Sequence, residues 1–168
     1  MVDLRERQIR LVHELMYQIK VHEVMTEHVV CFPSTTTFRA IQLVMKEKRF
    51  TGTPIVDDGE LRGMISIHDI ITAFDLGRVD EPVGRYMSRN VVTVPQNYSV
   101  IAATNLFHKF RYGRLPVVQA PKSLEVVGIV TYSDILSNLL LEVNAIPPPS
   151  RSICRPTVFL RLFCAGLP

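Results

Sequence analysis

The chain has 168 residues, a mass of 19.1 kDa and a formal charge of +3, which fits one ordinary domain or two small ones. Arg151, Arg155 and Arg161 account for the whole excess, since without them 16 Lys and Arg stand against 16 Asp and Glu. The body therefore lacks the basic footprint of a nucleic-acid binder, the three cysteines offer neither a disulfide framework nor metal spacing, and no stretch approaches the ~20 apolar residues of a membrane helix.

Leu4, Leu11, Val12, Leu15, Met16 and Ile19 fall near a 3.6-residue period. They predict an amphipathic helix over about residues 3–20 (unit 1–20), whose apolar face needs cover from the body or from a second copy. Charges interleave with the apolar residues, so the segment does not read as a secretory leader. With free cysteines, the expected location is cytoplasmic.

From Val21 the sequence repeats itself. "VHEVMTEHVVCFPSTTTFRAIQLVMKEKRFTGTPIV" aligns with "VGRYMSRNVVTVPQNYSVIAATNLFHKFRYGRLPVV". Met25 matches Met87, Pro33 matches Pro95, Arg49 matches Arg111 and Pro54 matches Pro116, all at a spacing of 62. The spacing then becomes 65, pairing Gly63 with Gly128 and Asp69 with Asp134. Such a length change belongs in a hairpin loop, and Asp58-Gly59 is a hairpin turn signal. Each unit reads as a strand ("VVCF" or "VVTV") ended by proline, a helix over about 37–48 or 99–110, a strand "TPIV" or "LPVV", and a strand "RGMIS" or "VGIVT". A last helix begins near His68 or Ser133. The predicted fold is α/β: two β-α-β-β-α repeats, residues 21–76 and 83–142, joined by a linker at 77–82 and packed about a pseudo-twofold axis. The tail, 143–168, breaks the pattern. Pro147, Pro148 and Pro149 favour an extended segment, and the tail reads as a linker, a docking segment or a foreign extension.

The candidate site lies where the last strand of each repeat enters its helix, at "GMISIHDI" and "GIVTYSDI". The first N–H groups of a helix have no internal partner and the dipole is positive there, which favours an anion. Ser66 or Thr131 can bond a phosphate oxygen. Asp69 or Asp134 can accept from two vicinal hydroxyls, such as those of a ribose. Gly63 and Gly128 let a ring or a neighbouring strand approach closely. The same [ST]-x-x-D spacing also describes a capping box that only satisfies its own backbone, and spacing alone leaves both readings open. Cys31, on the predicted strand "VVCF", reads as a small core residue. "HKFRYGR" (108–114) mixes bases and aromatics but reads as an exposed helix end more readily than as an RNA contact.

With these motifs in this order, the chain resembles a tandem CBS-domain pair, named after cystathionine β-synthase. The resemblance covers about residues 21–140 and rests on "TPIVDDGELRGMISIHDI" and "LPVVQAPKSLEVVGIVTYSDI", with "VMTEHVVCFP" and "YMSRNVVTVP". It implies a non-catalytic regulatory module that binds AMP, ADP or ATP between its halves, with S-adenosylmethionine or NAD behind them. It implies ribose contacts from Asp134 and Asp69, and phosphate or ribose contacts from Thr131 and Ser66. Arg114 fills the family's phosphate-facing position in the second repeat, where the first has Gly52, so the second site is expected to be the better one. Thr93 would frame the adenine, and His68 could touch a phosphate. The family also implies a homodimer. Other readings are an assembly module with degenerate sites, or the sensor part of a protein with an effector domain. No nucleophile–base pair, metal cluster or P-loop suggests an enzyme.

Overall fold

The structure, a computed structural model, describes residues 4–145, with side chains from 9 to 141 except 11. The proline-rich tail, with Cys154 and Cys164, lies outside the described residues. In chain order the elements are α1 (Leu4–Gln18), α2 (Val21–Val24), α3 (Phe38–Lys48), β1 (Gly52–Asp57), β2 (Glu60–Ser66) and α4 (Ile67–Asp75). A 3-10 turn (Val83–Arg85) leads to β3 (Val94–Pro95), α5 (Val100–Phe110), β4 (Arg114–Val118), β5 (Val126–Thr131) and α6 (Tyr132–Ala145). This is the expected α/β chain of two repeats. β1 pairs antiparallel with β2, and β4 with β5. Both ladders shift register at the same place, after Ile55 and after Val117.

The strands expected at "VVCF" and "VVTV" are mostly not formed. Phe32 makes one parallel bridge to Ile55, and β3 is two residues long beside β4. Proline is the cause. Phe32 N–H donates to the Pro54 carbonyl and Val56 N–H to the Phe32 carbonyl. The next rung would need an N–H from Pro54, which has none. The Thr53 hydroxyl donates to the Val30 carbonyl instead, at 2.5 Å, and this explains a fully buried threonine. Pro116 holds the equivalent place in β4. Cys31 is exposed, not a core residue. It sits between Val30 and Phe32 in extended chain, where alternate side chains point to opposite faces.

The repeats also exchange their leading segments. Val21 N–H donates to the Tyr98 carbonyl at 2.8 Å, and Val83 N–H to the Thr36 carbonyl at 2.9 Å. Likewise His22 N–H reaches Gln96, and Gly84 N–H reaches Ser34. At the helix starts, Val100 N–H is satisfied by the Ile19 carbonyl and Phe38 N–H by the Glu81 carbonyl. These groups would otherwise be orphans at a helix terminus. The linker adds an ion pair, Asp80 to Arg39, at 2.7 Å. Two hydrophobic cores follow. One joins Val21 and Val24 to Val94, Val100, Phe107, Leu115 and Val130 of the second repeat. The other joins Val83 and Met87 to Phe38, Ile41, Ile55 and Ile65 of the first. Helix α1 lies against α5 and α6, so the body covers it at least in part.

The exchange explains two glycines. Met64 bridges Ser88, and Thr26 bridges Ile129, so each incoming segment crosses the other repeat's last strand at its glycine. A Cβ on Gly63 would lie 2.7 Å from the Met87 side chain and 2.9 Å from the Ser88 carbonyl oxygen. A Cβ on Gly128 would meet Met25 and the Thr26 carbonyl in the same way. A neighbouring strand, not a ring, occupies this space. Methionine can yield but a backbone carbonyl cannot without moving its strand, so Gly63→Ala should lower stability by about 1–3 kcal/mol. Urea unfolding monitored by circular dichroism measures this, and an unchanged midpoint would refute the crossing as a packing constraint.

Candidate functional site

The helix-entry motifs have nearly identical geometry. Ser66 N–H and its hydroxyl both donate to Asp69 Oδ2 at 2.7 Å, and Asp69 N–H returns to Ser66 Oγ at 3.4 Å. Thr131 N–H and hydroxyl donate to Asp134 Oδ2 at 2.8 Å, and Asp134 N–H returns at 3.3 Å. Both are therefore complete capping boxes. In both, Oδ2 takes every hydrogen bond made by the carboxylate among the described residues. No buried side-chain oxygen or nitrogen there lacks a partner, so each Oδ1 meets solvent. Capping consumes one oxygen and leaves the other available to an external donor.

The two motifs differ in what surrounds them. A cleft of about 260 Å³ opens between the repeats at Ser66 and Asp69. Ile65 and Met64 of β2 form one wall. Val91, Val92, Tyr112 and Pro116 of the second repeat form the other. Val91 and Val92 reach this place because of the segment exchange, just after Ser88 crosses β2. Ser88 and Asn90 add polar groups, and the exposed Tyr112 ring stands at the cleft.

Arg114 belongs to the same cleft. Its backbone pairs with Thr131 in the β4–β5 ladder, but its guanidinium crosses to the first repeat. There Nη1 donates to the Gly52 carbonyl at 3.2 Å and Nη2 bonds the Thr51 hydroxyl. Gly52 pairs with Ser66 in the β1–β2 ladder, so the cation arrives beside Ser66 and Asp69. A Cβ on Gly52 would lie 2.7 Å from Arg114 Nη1. Glycine at the position equivalent to Arg114 thus leaves room for the crossing, and a Cβ there would push the guanidinium aside. Burial pushes the Arg114 guanidinium below its ordinary pKa, and no carboxylate lies within 4 Å of it among the described residues. A guanidinium has five N–H donors, so three remain.

Sequence reading grouped Arg114 with Thr131 and Asp134. The structure sets it beside Thr131 through the backbone and beside Ser66 and Asp69 through the side chain. Thr93 is half-buried and outside the lining, which at that stretch is Val91 and Val92. His68 is exposed on α4, also outside the lining, and its carbonyl accepts from the Thr72 hydroxyl. In "HKFRYGR", Phe110 stacks on Tyr112 and Lys109 lies over the Phe110 ring, so these aromatic faces partly serve one another. Among the described residues, no group of three or more His, Cys, Asp or Glu could hold a metal ion, and no helix is long and apolar enough to cross a membrane. Asn90, Val91 and Val92 escaped sequence reading because the exchange alone brings them to Asp69, and Tyr112 escaped it because the turn between α5 and β4 meets the cleft only in the folded pair.

Known proteins resemble this chain in sequence and in fold. Over 118 residues the chain is 34% identical to the uncharacterized protein MJ1232 of Methanocaldococcus jannaschii, covering 70% of this chain and 38% of that one. It is 26% identical over 134 residues to inosine-5'-monophosphate dehydrogenase of Thermoplasma acidophilum, covering 79% and 26%. The chain thus spans less than half the length of these two relatives. The CBS domain pair of protein MJ0100, solved with 5'-methylthioadenosine and S-adenosyl-L-methionine, superposes with a TM-score of 0.66 at 25% identity, over 74% of this chain and 98% of that one. The CBS domain profile itself matches residues 21–76 and 83–141, the two repeats whose exchanged segments build the cleft, and this chain belongs to the CBS domain family.

Proposed function

We propose that this chain is a non-catalytic regulatory module that binds an adenosine nucleotide, AMP, ADP or ATP, in the cleft at Ser66 and Asp69. Arg114 carries the reading: a half-buried cation without a carboxylate partner faces a cleft that already holds a hydroxyl and a free carboxylate oxygen. Asp69 Oδ1 accepts from the ribose hydroxyls while Oδ2 keeps the cap. The Arg114 guanidinium takes the phosphate, since a fork of N–H donors suits phosphate geometry, and the Ser66 hydroxyl joins it by turning its one proton from Asp69 Oδ2 while Ser66 N–H holds the cap. Val91, Val92, Ile65 and Tyr112 bracket the base. The adenosine ligands bound to the MJ0100 pair support the ligand class. The Thr131–Asp134 motif keeps its hydroxyl and carboxylate, but its equivalent of Arg114 is Gly52, so it is the weaker site for a phosphorylated ligand. Because the cleft joins both repeats, a nucleotide that binds one arrangement better shifts the population toward it. The receiver is an effector domain or partner protein, in keeping with the greater length of the relatives.

Calorimetric titration with AMP, ADP and ATP tests this. Saturable binding should weaken about tenfold or more in Arg114→Met and in Asp69→Ala. It should weaken less in Asp134→Ala. Each Asp→Ala change should also cost about 0.5–2 kcal/mol of stability through the lost cap. Equal affinities in wild type and Arg114→Met would remove the phosphate role of Arg114.

A specific observation also favours an assembly role. Ile67, Ile71 and Phe74 stand exposed on one side of α4, and Tyr132, Leu136 and Leu140 stand exposed on the equivalent helix α6. Repeated apolar stripes of this kind mark an interaction surface, and a second copy of the chain fits both at once by symmetry. Sedimentation should show a dimer that the double change Ile71→Glu and Leu136→Glu converts to monomer. A monomeric wild type would contradict this reading.

A further inference from the structure

Where the second repeat's leading segment lies on the first repeat, a second cleft of about 300 Å³ is lined by Ser34, Thr35, Asp57, Arg62, Arg85 and Arg89. It lies apart from Ser66, Asp69 and Arg114 and shares no lining residue with their cleft. Asp57 Oδ1 is occupied by Ser34 N–H at 2.9 Å, and that bond, with Arg62 nearby, holds its carboxyl below the usual range. Arg62 is paired with Glu60 at 3.0 Å. Arg85 and Arg89 have no carboxylate within 4 Å among the described residues, and Arg89 spends one donor on the Gly84 carbonyl at 2.6 Å.

The second repeat supplies an internal control. The same backbone frame there carries Val127 for Arg62, Glu23 for Arg85 and Glu27 for Arg89, with Gln96 and Asn97 for Ser34 and Thr35. The crossing hydrogen bonds are conserved between the halves, His22 N–H to Gln96 matching Gly84 N–H to Ser34. The polar tie from Ser34 to Asp57 is replaced by one from Gln96 to Gln119 at 2.9 Å. The fold is therefore built equally well with two glutamates and a valine at these places. Packing does not explain three arginines converging on one hollow.

We infer that the cleft at Ser34, Thr35, Arg62, Arg85 and Arg89 binds a small phosphate-bearing molecule with at least two negative charges. Guanidinium forks match phosphate oxygens in pairs, and the Ser34 and Thr35 hydroxyls add donors. The volume is at the low end for a small-molecule pocket. The apolar side chains of the lining are one proline and one methionine, Pro82 and Met87, so charge and hydrogen bonding supply the recognition. The inference is independent of the nucleotide cleft.

Titration with inorganic pyrophosphate, followed through backbone amide resonances, tests it. In wild type, the amides of Ser34, Thr35 and Arg85 should shift and saturate. The double change Arg85→Glu and Arg89→Glu installs the residues of the second repeat and should weaken this response about tenfold or more. Arg62→Val, also taken from the second repeat, provides a second variant if the first does not fold. Arg114→Met should leave the response unchanged. Pyrophosphate that shifts only the amides around Ser66 and Asp69, or that shifts Ser34 and Arg85 equally in wild type and in a folded variant, would overturn the site while leaving the nucleotide cleft standing.

Discussion

The exchange of leading segments between the repeats is the constraint on which the rest depends. Neither repeat closes its own core. Val21 and Val24 complete the second, Val83 and Met87 complete the first, and burial of an aliphatic side chain of this size is worth about 1.5–3 kcal/mol. The same exchange satisfies the first N–H groups of α3 and α5 and fixes glycine at positions 63 and 128. Two halves tied in this way cannot shift independently. Any ligand between them acts on a joint that both cores share.

The exchange also makes the halves chemically unequal at the cleft. Arg114 leaves its own strand and places its charge against Thr51 and Gly52 of the other repeat. The guanidinium lies where a Cβ at the equivalent residue, Gly52, would stand. One cation thus serves where symmetry would give two. On the proposed reading, the Ser66–Asp69 motif gains a cation for a phosphate, and the Thr131–Asp134 motif keeps its hydroxyl and carboxylate without one. Capping and ligand binding are compatible at both motifs, because the cap uses a single carboxylate oxygen. A duplicated frame that differs in a few charges can so divide tasks without altering its backbone.

Much of the fold was legible because it depends on local pattern. The spacing of 62 that changes to 65 located both repeats and the hairpin, and α3, α5, β1, β2, β4 and β5 lie close to where periodicity placed them. The short first strands were less legible. "VVCF" has strand composition, but its pairing depends on Pro54, a residue of another strand. Cys31 was misplaced for the same reason. Of the site, the hydroxyl and carboxylate of each motif were readable, because both follow from a strand entering a helix. The destination of Arg114 was not. A side chain that crosses between repeats leaves no periodic mark in the sequence, and the glycine at position 52 that it meets reads as a simple loss.

The central claim is that the cleft at Ser66 and Asp69, with Arg114 delivered from the other repeat, is the principal nucleotide site. A titration of wild-type protein with AMP, followed residue by residue through amide resonances, tests it most directly. The account predicts that Ser66, Asp69, Val92 and Arg114 shift at lower AMP concentration than Thr131 and Asp134. If Thr131 and Asp134 shift first, or if neither motif responds while AMP is raised to millimolar levels, the account is contradicted.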